Sequence, residues 1–190
     1  MFVKELKLQT IDDRILRLPD ENNLVHLQFR RFAGCPVCNY HLRTFMRRKV
    51  ELDQHGIREV ILFHSFTRDM KRYAGYLPFD MVADPFKKVY AEFGVEAAAI
   101  SLFHPKAWLA ILRSVGYSLY QVVFQRKTMP SLRPYGGSFG LPADFLIAPD
   151  GKILAAHYGQ HANDQWSVDE LLSLCRRYEK SKLQEVVLNS

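Results

Sequence analysis

The sequence predicts one α/β domain. Three stretches carry that prediction: a strand that runs into an apolar helix and then a second strand, a Pro-Asp-Gly-Lys turn between two short apolar strands, and a capped helix near the C-terminus. At 190 residues, with 48% apolar and 24% charged side chains, the chain can bury one sizeable core. No repeat, low-complexity run or Gly/Ser/Pro linker divides it, so residues 1–190 are read as a single domain.

Leu6, Leu8, Ile15 and Leu18 alternate loosely on either side of Asp12-Asp13, which predicts a small N-terminal hairpin at the edge. From Leu24 to Phe32 the chain alternates through Val25, Leu27 and Phe29 and then meets Gly34. Beyond it, Cys38, Leu42, Phe45 and Met46 recur at helical spacing. Val60 to Phe63 is a continuous apolar run of the kind a parallel strand shows when both its faces are covered. Together these make a right-handed βαβ unit.

A second helix is placed near Thr67 and a short strand at Met81 to Ala83. Asp84-Pro85 then offers an N-cap with proline at the first helical position, and Gly94 ends that helix. The stretch from about 97 to 140, rich in aromatics such as Phe103, Trp108 and Phe124, reads as an inserted helical segment with a break at Gly116. Asp144 to Ala148 and Ile153 to Tyr158 form an antiparallel hairpin around Pro149-Asp150-Gly151-Lys152. Ser167 to Glu170 is a capping box, followed by the apolar stripe Val168, Leu171, Leu172 and Cys175.

The net charge is +6, and residues 97–143 hold five cations and no acid. Those cations are spread out and form no dense stripe, so a nucleic-acid partner is not expected. No run of 18 uncharged apolar residues occurs, and the N-terminus alternates charged with apolar residues where a leader would be basic and then apolar, which points to the cytoplasm. Three cysteines are too few for a secreted disulfide framework.

Two of the three stand in Cys35-Pro36-Val37-Cys38, where a strand turns into a helix. Cys35 falls at or beside the N-cap and Pro36 at the first helical position, because proline's fixed φ suits that place. Unpaired N–H groups and the positive end of the helix dipole favour a thiolate there; such positions lower a cysteine pKa from about 8.5 to roughly 3.5–7.5. Cys38 lies one turn on, on the stripe of Leu42 and Phe45, less exposed but within pairing reach. Arg30 and Arg31 end the preceding strand, and either can add positive potential. The pair therefore reads as a redox dithiol.

Other readings of the same residues are weaker. Cys35, Cys38 and His41 have metal-like spacing, as do His157 and His161, but steps of three drift around a helix and no second C-x-x-C exists, so no metal is expected. Covalent haem needs His directly after Cys38, where Asn39 stands. His26, His41, His55, His64 and His104 read as ordinary strand and helix residues, Cys175 as a packed thiol, and Arg43, Arg47, Arg48 and Lys49 as a solvated helix face. Residues 101–124 read as a lid or a homodimer surface. Under the alternative, non-enzymatic reading, the domain is an interaction module that makes a dimer or membrane-surface contact through that segment, and its cysteines stay reduced.

Four segments resemble the thioredoxin-like suprafamily, and within it the peroxiredoxin-like proteins of the alkyl hydroperoxide reductase and thiol-specific antioxidant type. They are Phe29 to Cys38, Val82 to Pro85 continued through Phe93-Gly94-Val95, Leu141 to Ile147, and Pro149 to Ile153. The resemblance implies a thioredoxin-like fold, a central mixed sheet flanked by helices, and a thiol-disulfide oxidoreductase or peroxiredoxin-like activity. It also implies a cis Leu141-Pro142 bond facing Cys35, with Leu141, Pro142 and Arg31 at the substrate. The expected partners are a disulfide or hydroperoxide substrate and a thiol reductant, either a thioredoxin-like protein or glutathione; no dissociable cofactor is needed.

The likeness has departures. Aligned on peroxiredoxins, Cys38 takes the place of the peroxide-attacking cysteine, Cys35 that of their threonine and Arg31 that of their proline; Pro142 replaces their arginine before the hairpin strand. Phe29 stands where thioredoxins keep a buried acid. Two role assignments stay open: Cys35 attacks a disulfide and Cys38 resolves, or Cys38 attacks peroxide and Cys35 resolves.

Overall fold

The structure is a computed structural model and describes residues 1–95 and 140–188. The elements run β1 (Leu6–Gln9), β2 (Ile15–Leu18), β3 (Leu24–Arg30), α1 (Pro36–Arg47), α2 (Lys49–Gln54), β4 (Ile57–Phe63), α3 (Thr67–Tyr73), β5 (Asp80–Ala83) and α4 (Lys88–Glu92). After residue 140 come β6 (Ala143–Ile147), β7 (Ile153–Tyr158) and α5 (Val168–Leu188). The helical segment expected over about 97–140, with the lid or dimer surface assigned to 101–124, lies outside the described residues apart from Gly140.

The main sheet has the order β5-β4-β3-β6-β7. β3 pairs parallel with β4 and antiparallel with β6, so it is the central strand, and all seven of its residues are buried. One sheet face packs on α1, α2, α3 and α5 through Val37, Leu42, Phe45, Leu52, Met70, Leu171 and Leu172. The other face carries Val25, Leu27, Phe29 and Phe145 and is closed by α4 through Tyr90 and by the β1–β2 hairpin through Leu8, Leu16 and Leu18. The N-terminal hairpin is therefore more than the edge feature the sequence suggested. It is a separate two-stranded sheet that covers a core face, joined to β5 by the Thr10–Val82 bridge.

Two local expectations are corrected. Asp84 does cap α4, but from four residues upstream: its carboxylate accepts the N–H groups of Lys88 at 2.9 Å and Val89 at 2.8 Å across a Pro85-Phe86 turn. Lys87, at φ +55°, is the residue that enters the helix, so Pro85 is not its first position. Gly94, at φ +66°, follows the end of the helix as expected. The second correction is that Leu141-Pro142 is trans; the cis X-Pro bond among the described residues is Leu18-Pro19. The Pro142 carbonyl accepts from Gly159 N–H at 2.8 Å, and the next residue, Ala143, is already paired with Tyr158. The chain thus enters β6 already extended, which suits the ordinary trans isomer.

Candidate active site

Because β3 and β4 are parallel and in register from Leu24–Ile57 to Arg30–Phe63, the loops that follow them leave the same end of the sheet side by side. The loop after β3 is pinned there: Ser65 Oγ accepts Ala33 N–H at 3.0 Å, Asn39 Nδ2 donates to the Ala33 carbonyl at 3.0 Å, and Cys35 N–H closes a turn onto the Phe32 carbonyl at 2.9 Å. This fixes Cys35 as the N-cap of α1 with Pro36 at its first turn. The cap is unusual in its acceptor, a sulfur: Cys38 N–H donates to Cys35 Sγ at 3.4 Å.

Both cysteines are free thiols and buried, as is Cys175. Their surroundings pull them apart. Burial pushes the Cys35 thiol up, but a hydrogen bond from the Cys38 thiol, the charge of Arg31 and the N–H groups of Cys38 and Val37 outweigh it and bring it down to about 6. Burial, and then the service it does to Cys35, pushes Cys38 well above the ordinary thiol range. The pair thus holds one proton near neutrality, with Cys35 as thiolate and Cys38 as its donor. Cys175, on α5, is driven up to about 12, first by burial and then by Glu179, and stays an inert core thiol.

The other residues named by the resemblance are only partly gathered here. Arg31 is buried and acts on both cysteines, its guanidinium lying 5.7 Å from the Phe32 ring centroid. Gly140 reaches the same place: a Cβ there would stand 3.6 Å from Arg31 Cγ and 3.3 Å from His64 Nε2. Leu141 and Pro142 follow it into β6, and Pro142 packs against Gly159, where any side chain would collide with the Pro142 ring and the Asp164 carbonyl. Among the described residues, no group of His, Cys, Asp and Glu is arranged to hold a metal.

A second buried cluster, which sequence reasoning missed, lies beneath α1. Arg30 Nη2 donates to Asp144 Oδ1 at 2.5 Å and to Gln28 Oε1 at 2.6 Å; His26 bonds Asp144 through Nε2 at 3.1 Å and Glu59 through Nδ1 at 2.8 Å. Gln28 also donates to Glu59, and Trp166 N–H completes Asp144 at 3.2 Å. Burial disfavours a charge on His26, but Glu59 and then Asp144 win and lift it to about 9. Burial likewise opposes the Asp144 anion, and Arg30 and His26 overcome it and hold the carboxyl well below its usual range. The buried acid absent at Phe29 therefore exists on β6, already matched by an arginine. His41, one turn beyond Cys38, is held neutral at about 3 by burial and then Arg30, which makes it a poor proton acceptor. The one sequence signal for the cluster was a run of polar residues, His26, Gln28 and Arg30, on alternate positions of an otherwise apolar strand.

A family described as AhpC/TSA antioxidant enzyme matches residues 44–161, beginning just after the cysteine pair. No curated protein matches the chain. Among solved structures, the chain is similar to peroxidoxin BcpB of Mycobacterium tuberculosis, at 18% identity and TM-score 0.65 over 93% of this chain and 95% of that one. It is also similar to peroxiredoxin 6 of Arenicola marina, at 13% identity and TM-score 0.66 over 94% of this chain and 72% of that one. A third likeness is to the bacterioferritin comigratory protein of Xanthomonas campestris, at 12% identity and TM-score 0.62 over 91% of each chain. At these identities the likeness establishes the thioredoxin-like fold.

Proposed function

The chain belongs to the AhpC/TSA antioxidant enzyme family of thiol-dependent oxidoreductases, and from that premise we propose that it works through a dithiol in which Cys35 attacks and Cys38 resolves. The observation that carries this reading is the split between the two thiols: Cys38 N–H and the Cys38 thiol both serve Cys35 Sγ, and Arg31 adds its charge. A nucleophile has to be the thiolate, and of the two sulfurs only Cys35 is built to be one at neutral pH.

With a disulfide substrate, Cys35 S⁻ attacks one sulfur, the substrate S–S bond breaks and one substrate thiolate leaves. Cys38 then loses its proton to solvent or to the departing thiolate and attacks Cys35 Sγ, releasing the second substrate thiol. The protein is left as the Cys35–Cys38 disulfide and the substrate has gained two electrons. An external thiol, from a thioredoxin-like protein or glutathione, restores the dithiol.

The family match favours a second substrate class on the same thiolate. Cys35 attacks a hydroperoxide oxygen, the O–O bond breaks, and the alkoxide leaves as an alcohol on taking a proton. Cys38 then condenses with the Cys35 sulfenic acid to give the same disulfide and water. Arg31, whose charge acts on Cys35, is the cation available to that step, and stabilising charge that develops in the transition state is worth several kcal/mol in such sites. This reading replaces the assignment in which Cys38 attacks peroxide first, because Cys38 is the thiol kept protonated.

Single-turnover kinetics with a neutral model disulfide and with an alkyl hydroperoxide test both. Cys35→Ser should abolish reaction with either, and Cys38→Ser should trap a mixed disulfide or a sulfenic acid on Cys35 that mass spectrometry identifies. Peroxide consumption that survives Cys35→Ser and disappears in Cys38→Ser would reverse the roles.

A further inference from the structure

From the α1 and α3 surface beside the cysteines, and resting on the dithiol reading above, we infer that the disulfide partner of Cys35 is a polypeptide whose cysteine is flanked by acidic residues. The surface is defined by what it lacks. Residues 22–50 contain no Asp or Glu, and residues 67–79 contain only Asp69, which lies 3.7 Å from Arg68. Some exposed cations elsewhere on the body have carboxylate partners, as Arg14 has Asp80 and Arg17 has Glu5. Arg47 on α1, and Lys71 and Arg72 on α3, are exposed and no ion pair reaches them among the described residues. Arg43 binds the two regions together, with Nη2 3.2 Å from Tyr76 OH and the guanidinium 5.0 Å from that ring.

Lys71 and Arg72 sit on the helix that starts at the Cys35 end of the sheet, and Arg47 lies at the far end of α1. The loop carrying Cys35 and the start of α3 leave adjacent strands at one end of the sheet and are tied by the Ala33–Ser65 bond. β5, parallel to β4, brings Phe86 to that end too, where its ring meets Phe66 edge-on with centroids 6.3 Å apart. Phe66 is 37% exposed and Phe86 66%. An exposed aromatic pair at the end of the sheet from which α3 starts matches the composition of protein-binding surfaces. Arg47 lies twelve residues beyond Cys35 on the chain, about 18 Å along the helix axis. A small thiol seated at Cys35 does not span that distance, whereas the footprint of a polypeptide does. The net positive sign selects an acidic partner, by steering its approach and by penalising a basic one.

The test uses two peptide disulfides identical but for Asp or Lys residues flanking the cysteine, with hydroxyethyl disulfide as an uncharged control. Single-turnover rates are divided by those with dithiothreitol to remove each peptide's own reactivity. The acidic peptide should react about tenfold faster than the basic one at low salt, and the gap should close as ionic strength rises toward 1 M, where screening acts within about 3 Å. Replacing Arg43, Arg47, Lys71 and Arg72 together by Gln should bring the two rates together. Lys71→Glu with Arg72→Glu, on the exposed side of α3, should narrow or invert the order, while Arg176→Gln with Arg177→Gln on α5 should preserve it. Equal rates for the two peptides in a protein that reduces the uncharged control overturn the inference and leave the dithiol reading standing. Failure to reduce the control overturns both. Tighter occupation of this face by anionic vesicles or duplex DNA than by the acidic peptide assigns it to another partner and also overturns the inference.

Discussion

Arg30 and Arg31 occupy consecutive positions at the end of the central strand, both are buried, and they do opposite work. Arg30 is enclosed by acceptors: Gln28, Asp144 and two backbone carbonyls take its N–H groups, and its charge is cancelled where it stands. Arg31 turns toward the cysteines, where its charge holds a proton off Cys35. Burial is common to both, so burial does not decide what a charge does in this molecule. The partner does: a carboxylate converts one arginine into a strut, and an ionisable thiol converts the other into a tuning group.

Removing the partner of the first arginine should have the largest effect. Asp144→Ala leaves Arg30 without its carboxylate in the core and His26 with Glu59 alone, and breaking a buried pair from one side costs about 3–5 kcal/mol, readable in urea denaturation. The alkylation midpoint of Cys35 in the folded protein should stay where it is. A loss below about 1 kcal/mol would place the variant in the range of a surface pair and show that Arg30 finds compensation elsewhere.

Arg31→Met addresses the other half. The Cys35 alkylation midpoint should rise from about 6 by roughly one pH unit, equivalent to about 1.4 kcal/mol, with a smaller change in stability than Asp144→Ala causes. A midpoint that does not move would assign the thiolate entirely to the helix start and to Cys38.

The smallest expected effect is on stability against pH, where the two clusters oppose each other. His26 is raised from 6.5 to about 9, so its contribution is complete below about 6.5 and is lost as pH rises through about 9. Cys35 is lowered from 9.0 to about 6, so the folded protein gives up that proton first and gains stability as pH climbs between the same limits. In the native protein the slopes offset. Cys35→Ser should uncover a decline with pH of at most about 1.4 kcal/mol per unit, and His26→Gln should uncover a rise. Urea midpoints at several pH values between 6.5 and 9 measure both, and matching slopes in the two variants would mean the clusters are not separate.

Much of the scaffold was legible because local chemistry determines it. Proline after Cys35 fixes a helix start, Asp150-Gly151 fixes a turn, and Ser167 with Glu170 forms the reciprocal cap, with Ser167 N–H donating to Glu170 Oε2 at 2.7 Å. The helix start accounts for only part of the low Cys35 titration, since the Cys38 thiol and the Arg31 charge act more strongly than its N–H groups. The Arg30–Asp144 pair was not legible, since 114 positions separate its members and no periodicity marks which buried arginine a β6 carboxylate will meet. Sequence left Arg30 and Arg31 interchangeable as sources of potential, and only the pairing of β3 with β6 distinguishes them. The Asp84 cap was half legible: the residue type signals a cap, but the positive φ at Lys87 that lets it reach across a turn does not follow from a lysine.

The position of β3 has a consequence in time. It is hydrogen-bonded along both edges and buried along its whole length, so its amide protons have no local route to solvent and exchange through opening of the whole domain. The β1–β2 hairpin, a two-stranded sheet with one outward face, can exchange through a smaller excursion. The strand that leads to Cys35 is therefore, with its neighbour β6, among the slowest clocks of the described residues.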